Sequence, residues 1–228
     1  MRESSAQDRR NSGIVASRAP RGWLAKRWLG AVESAGPDHA ARLARGKNVA
    51  RSGRVRHLWF SPGLAMAEVE DDHIWRVSLR LRVYEEAEWA LLVDTLAADL
   101  TLVAGLMAGE LPRELVKRLE AVGLQLLPHG KDLDGDCDCP DFLVPCVHMA
   151  AVHQLVADAL DGDPFLLFTL RGSERETLLA RLRRRWGDTT ETTSRGTFRE
   201  EAPPSGDWLH SSESLGTLRL HVAPPRQG

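Results

Sequence analysis

The chain has 228 residues, a formal net charge of −2, 43% apolar residues and 27% charged residues, a composition typical of a soluble globular protein. It contains no run of 18 apolar residues, so we predict no transmembrane helix, and its polar start has no apolar segment of signal-peptide length. The odd number of cysteines, three, argues against a disulfide framework and favours a reducing cytoplasm.

Positive charge is concentrated near the start of the chain. Residues 1–60 contain 13 basic and 4 acidic residues, a net charge of +9. Such asymmetry can mark a surface that faces a polyanion. Solvated helix and loop faces would give the same composition, so both interpretations stay open.

The first segments are expected to be a tail and two helices. Residues 1–20 have few aromatics and no periodicity, which predicts a disordered tail. Residues 22–34 carry apolar side chains three and four positions apart, which predicts a short helix that ends near Gly36. A further helical turn over residues 40–45 is expected to stop at Gly46.

The apolar period then changes from helical to alternating. Residues 55–60, 64–69 and 74–83 are predicted to be three strands of an antiparallel meander with one wet face. The third strand is the clearest, because Trp75 and the apolar residues that follow it alternate with polar positions, namely Arg76, Ser78, Arg80 and Arg82.

The middle of the chain is predicted to be helical. Residues 85–108 form one long helix or two, and 112–121 form another that starts at a proline. The short apolar run 124–127 is interpreted as a strand leading into a cysteine-rich loop. Residues 149–160 carry a 3.6-period apolar stripe. From residue 187 the periodicity is lost, which predicts a disordered tail.

All three cysteines lie in the pattern Cys137-x-Cys139-x6-Cys146-x-His148. Three thiols and one imidazole complete the tetrahedral shell of a structural zinc ion, with no open position for a substrate. Residues i and i+2 of an extended segment point to the same side, so Cys137 and Cys139 are placed on a β edge, and Cys146 and His148 at a helix start. The alternative is three unrelated buried cysteines and one hydrogen-bonded histidine.

Other residues near this pattern bear on its role. His153 is the one rival ligand, and its helical position turns it away from His148. Four aspartates that repel phosphate surround the pattern: Asp134, Asp136, Asp138 and Asp141. We therefore place the candidate nucleic-acid contacts upstream, at Arg54, Arg56, Arg76, Arg80 and Arg82.

The four ligands match the SWIM zinc finger, whose pattern is C-x-C, a variable gap, then C-x-H. The chain from about Gly22 to Arg185 also resembles bacterial, mostly actinobacterial, SWIM zinc finger proteins, notably over residues 163–172. The resemblance implies zinc binding, a role in DNA or protein interaction, and association with SNF2-type helicases. Val147 departs from it, because the family often has lysine there, and His153 stands where an aromatic residue is common.

The expected fold is α+β: an N-terminal helix and antiparallel β-meander, a helical middle, and a small treble of β-edge plus helix around one zinc ion, with disordered termini. We predict a tail over residues 1–20, an α+β domain over 21–130, a SWIM zinc finger with following helices over 131–186, and a tail over 187–228.

The expected function is a zinc-binding module with a nucleic-acid-associated role, on DNA or RNA, which acts beside a SNF2-type helicase. The alternative is a protein–protein interaction adaptor in which the zinc is purely structural. An enzyme is disfavoured, because a four-ligand zinc shell is closed and the sequence has no H-E-x-x-H or G-x-S-x-G motif. No membrane contact and no small-molecule substrate are expected.

Overall fold

A four-stranded antiparallel sheet forms the centre of the fold. The computed structural model describes residues 14–17, 21–129 and 132–194. Its strands lie in the order β1-β2-β3-β4, and their bounds are Val55–Ser61 for β1, Leu64–Glu70 for β2, Ile74–Leu81 for β3 and Leu133–Cys137 for β4. The α+β class and the antiparallel meander are confirmed.

Eight helices pack around this sheet in the part of the chain that the structure describes. Numbered α1 to α8, they are Trp23–Ser34, His39–Arg51, Glu86–Ala97, Leu100–Met107, Arg113–Ala121, Val147–Gly162, Phe165–Leu170 and Arg175–Ser194. Helix α6 is the central one, because it contacts both α1 and α2 and also all four strands.

Strand β3 shows the predicted alternation. Val77, Leu79 and Leu81 are buried, whereas Arg76 and Arg80 are exposed. One face of the strand therefore supports the core and the other faces solvent, as period-2 patterning requires. The strand ends at residue 81, two residues before its predicted end, at 83.

The predicted strand over residues 124–127 is wrong. This segment is irregular, and its carbonyls at Gln125, Leu126 and Leu127 accept hydrogen bonds from the buried Arg171 guanidinium instead of from a neighbouring strand. The fourth strand lies later, at Leu133–Cys137, and pairs with β3. The polar sequence of this strand did not predict it, because strand propensity mainly reflects packing on a pleated surface.

Helix α2 does not stop at Gly46, as predicted, but continues to Arg51. A Cβ atom at Gly46 would lie 2.5 Å from the backbone carbonyl carbon of Ala150 in α6. The glycine therefore allows two helix backbones to approach closely, and the packing gained there offsets its cost of about 1 kcal/mol in a helix interior.

The segment 85–108 forms two helices, the second of the predicted alternatives. Helix α4 starts after Asp99, whose carboxylate accepts a hydrogen bond from the Thr101 amide. Among the described residues, no single helix has the length and apolar character needed to cross a membrane, although the pair α3 and α4, bent by 98°, meets that test on length and composition.

Both predicted tails are shorter than expected where the structure describes them. The Ile14 amide donates to the Val55 carbonyl at 2.7 Å, and Ala16 is buried, so residues 14–17 are part of the fold. Helix α8 extends to Ser194, past the predicted start of the tail at 187. Helix propagation is cooperative, so a helix can continue into a segment without apolar periodicity. Residues 1–13, 18–20 and 195–228 lie outside the described residues.

The predicted boundary at residue 130 crosses one hydrophobic core. The buried apolar residues form a single cluster that includes Trp28 and Leu79 before that boundary and Val152 and Phe168 after it. Strand β4 pairs with β3 across the same boundary. The cysteine-rich segment is therefore built onto the sheet that precedes it in sequence.

Candidate metal centre

The four predicted ligands lie together. The ligand atoms of Cys137, Cys139, Cys146 and His148 are all within 4.8 Å of one another, and the three cysteines form no disulfide. The four residues can therefore bind one metal ion. His153, the rival ligand, is not part of this group.

Local structure explains the position of each candidate ligand. Cys137 is the last residue of β4, paired with Val77 of β3, and Cys139 follows two residues later. Cys146 is the N-cap residue of α6, and His148 lies in the first turn of that helix. The predicted arrangement of a β-edge pair and a helix-start pair is present.

The spacing of the ligand atoms fits a tetrahedral ion. His148 Nδ1 lies 3.9 Å from Cys137 Sγ. A zinc ion with bonds of about 2.3 Å to sulfur and about 2.0 Å to nitrogen would separate such atoms by about 3.6 Å. Small side-chain movements would complete the shell.

Helix α6 favours a negative charge on one of the thiols. The Met149 amide donates to Cys146 Sγ at 3.4 Å. A hydrogen bond from Cys137 is the largest cause that lowers the pKa of the Cys146 thiol to about 4, and a hydrogen bond from His148 adds to it. A thiolate at a helix N-terminus is a good metal ligand.

The pKa values of the other two thiols are raised. A hydrogen bond to Cys146 raises the pKa of Cys137, and burial raises the pKa of Cys139. Three adjacent thiolates would repel one another in this half-buried site. A cation at the centre of the cluster would offset that repulsion.

An aspartate from another part of the chain lies behind the histidine. While His148 Nδ1 faces the cysteines, its Nε2 lies 3.7 Å from Asp71 Oδ2. Asp71 in turn accepts a hydrogen bond of 2.6 Å from Arg54. A carboxylate in this position orients a ligating imidazole and increases its basicity.

Trp75 covers the other side of the same histidine. Its ring stacks on His148 with centroids 5.9 Å apart and an interplanar angle of 25°. Its indole N–H donates to Asp72 at 3.2 Å, which fixes the ring. From the sequence, Trp75 was assigned only to the apolar face of β3 and Asp71 was not assigned to the site, because both residues are far from His148 in the chain.

His153 has a structural position. It is buried, its ring centroid lies 6.0 Å from that of Trp28, and its Nδ1 has no hydrogen-bond partner among the described residues. Burial lowers the pKa of this imidazole to about 3. The residue packs between helices, away from the four candidate ligands.

The predicted arginine contacts are largely occupied by carboxylates. Arg54 pairs with Asp71, and Arg56 with Glu70. Two further pairs lie on the sheet: Arg80 with Asp134 at 3.8 Å, and Arg82 with Glu88 at 2.7 Å. Of the five predicted arginines, only Arg76 has no ion pair within the described residues.

The acidic residues near the cluster also have structural contacts. Asp138 accepts a hydrogen bond of 2.7 Å from the backbone N–H of Arg76, which holds the segment after β4 against β3. Asp141 pairs with Arg42 of α2 at 3.3 Å, and Arg42 also donates to the Pro145 carbonyl at 3.2 Å. Helix α2 is thus attached directly to the loop between Cys139 and Cys146.

Comparison with known proteins adds one relative. The chain is 35% identical over 178 residues to Uncharacterized protein Rv2102 of Mycobacterium tuberculosis (strain ATCC 25618 / H37Rv), an alignment that covers 75% of this chain and 64% of the relative. The chain therefore spans less than two thirds of that relative's length. No family model and no solved structure matches the chain, so the resemblance to SWIM zinc fingers stays a prediction.

Proposed function

We propose that Cys137, Cys139, Cys146 and His148 bind one structural zinc ion. The observation that carries this proposal is the convergence of their four ligand atoms within 4.8 Å. Thiolate and imidazole are the donors that zinc prefers, and four protein ligands leave no coordination position for a substrate. We accordingly propose a role other than catalysis, in a reducing cytoplasm that keeps the thiols free to bind metal.

The ion would join two parts of the fold. It would link the end of β4 and Cys139 to the start of α6, the helix against which α1 and α2 pack. By fixing the start of α6, the ion would fix the position of α2 as well. The metal site would therefore organise a surface at some distance from the ion.

The role that this module best supports is association with nucleic acid. Its support is the net charge of +9 over residues 1–60, a part of the chain that includes α2. The resemblance to SWIM proteins adds the proposal that the module works beside a SNF2-type helicase. The paired arginines of the sheet lend this role less support than their sequence pattern predicted.

Two measurements test the proposal separately. Metal analysis of protein purified from zinc-supplemented medium should return about one zinc ion per chain, and finding none would overturn the metal assignment. Zinc-loaded protein should bind DNA or RNA at ~50 mM salt with an affinity that falls steeply as salt increases. Absence of binding at that salt concentration would overturn the nucleic-acid role and leave the metal site standing.

One observation favours a second candidate, the protein–protein interaction adaptor. The loop between Cys139 and Cys146 exposes Phe142 at 99%, Leu143 at 57% and Val144 at 60% of their surfaces. Three adjacent exposed apolar residues are a feature of interaction sites. If this role holds, Phe142→Ser should abolish co-purification of a stoichiometric partner and leave the zinc content unchanged, whereas retention of that partner would count against it.

A further inference from the structure

Helix α2 carries cations and no acid. Its sequence, His39–Arg51, contains four basic residues and neither aspartate nor glutamate. Arg42 binds Asp141 and the Pro145 carbonyl. The side chains of Arg45, Lys47 and Arg51 have no hydrogen bond or ion pair to any residue in the ranges 14–17, 21–129 and 132–194.

The arginines near the sheet differ from the cations of α2 in their ion pairs. Arg56, Arg80 and Arg82 each lie beside a carboxylate of the protein. A phosphate would have to displace that carboxylate, whereas the cations of α2 are free to attract it. The positive potential is therefore expected to be stronger along α2 than beside these three arginines.

The shape of α2 also suits an extended anion. Its inner side is buried against α6 through Leu43, Gly46 and Ala50. Its outer side is exposed and carries short side chains at Ala41 and Ala44, near the exposed Arg45. Short side chains let a phosphate backbone come close to the helix while longer arginines reach its oxygens.

The charge spacing indicates the class of nucleic acid. Arg45 and Arg51 are six residues apart, about 9 Å along a helix that rises 1.5 Å per residue. Duplex DNA presents a negative charge about every 1.7 Å of its axis, so several phosphates lie within reach. Single-strand binding relies on aromatic stacking, and the outer side of α2 carries no aromatic residue.

We propose that α2, through the exposed Arg45 and Arg51 and the half-buried Lys47, binds the phosphate backbone of double-stranded DNA. The inference rests on the nucleic-acid role proposed above and assigns it a surface. The contacts are to phosphates, so the binding is independent of base sequence. The metal centre contributes by holding α6, and with it α2, in place.

The test compares two variants that lose the same charge. In one, Arg45, Lys47 and Arg51 are changed to Gln; in the other, Arg56, Arg80 and Arg82 are changed to Gln. Both are prepared as zinc-loaded full chains, with zinc content and melting temperature as checks on folding. Binding to a fluorescent DNA duplex is measured by anisotropy from ~50 to ~200 mM salt.

The α2 variant should lose at least about tenfold in affinity, and its slope of log affinity against log salt should fall by up to about 2.7, since each phosphate contact contributes about 0.9. The sheet variant should change affinity by less than about threefold and keep the slope. Equal losses in both variants, or wild-type affinity in the α2 variant, would overturn the surface assignment. Wild-type protein that binds no DNA would instead overturn the nucleic-acid role itself.

Discussion

The two ends of β4 are held in place by different chemistry. Before the strand, the fully buried Arg171 guanidinium donates to four backbone carbonyls, at Arg82, Gln125, Leu126 and Leu127, and to the Asp132 carboxylate. After the strand, Cys137 belongs to a cluster of three thiols and one imidazole. The first end is held by protein groups alone, whereas the second can bind a cation.

The two ends are therefore expected to differ in their dependence on metal. Each guanidinium nitrogen of the buried Arg171 donates a hydrogen bond, so removing this side chain would leave several carbonyls without partners. Cysteine thiols form only weak hydrogen bonds, so a bound ion would hold the cluster more firmly than its thiols alone. We therefore expect the sheet and α7 to persist without zinc, and residues 137–146 and the start of α6 to loosen.

The largest expected effect is at the metal end. Cys139→Ser should abolish stoichiometric zinc binding, because it removes one of the four proposed ligands. The effect should be large, since structural zinc contributes about 10 kcal/mol or more of apparent binding free energy in small fingers. Hydrogen exchange should then show faster amide exchange over residues 147–155 than over β2. Zinc retention, or uniform exchange across the fold, would break the proposed division between the two ends.

Next in size is the loss of the buried guanidinium. Arg171→Met should lower the free energy of unfolding by about 3–5 kcal/mol, as expected when one partner of a buried charged network is removed. Urea unfolding measures this loss, which should be the same with and without chelator. The matched control Arg82→Met removes an exposed partner of Glu88 and Asp132 and should cost at most about 1 kcal/mol.

A smaller effect is expected at Asp71. Asp71→Asn keeps the size of the side chain and removes the charge behind His148 Nε2. Zinc affinity, measured by competition with a chromophoric chelator, should fall by about 10- to 100-fold. Asp134→Asn is the control, because Asp134 pairs with Arg80 and not with the histidine, and equal losses in both variants would argue against a specific role for Asp71.

The smallest predicted effect concerns pH. Burial lowers the pKa of His153 to about 3, so only the unfolded chain takes up a proton between that value and the ordinary pKa of about 6.5. The resulting stability is complete above pH 6.5 and is lost as pH falls towards 3, a loss of about 1 kcal/mol between pH 7 and pH 5.5. His153→Leu should remove this part of the pH dependence, and an unchanged pH profile would contradict the assignment.

The sequence alone determined the candidate metal ligands and the patterned elements. The spacing of Cys137, Cys139, Cys146 and His148 identified the cluster because the ligands are local and cysteine is rare in this chain. The alternation along β3 predicted its buried and exposed faces, because that pattern too is local in the chain. These features depend on contacts between near neighbours, which periodicity and motif spacing report directly.

The errors arose where distant contacts override local preference. Gly46 indicated a helix end, yet α6 supplies packing that carries α2 through it. The apolar run 124–127 suggested a strand, but carbonyls of this run accept hydrogen bonds from Arg171. Strand β4 was missed because its polar residues pair with β3 and have no strand pattern of their own.

Only the tertiary structure decided which charges are available to a partner. Arg54, Arg80 and Arg82 were among the predicted nucleic-acid contacts, but the fold brings Asp71, Asp134 and Glu88 beside them. Arg45 and Arg51 had no distinguishing pattern, but the fold leaves them without carboxylate partners among the described residues. An arginine's sequence position does not show whether a carboxylate lies nearby, because opposite charges meet through folding and not through spacing.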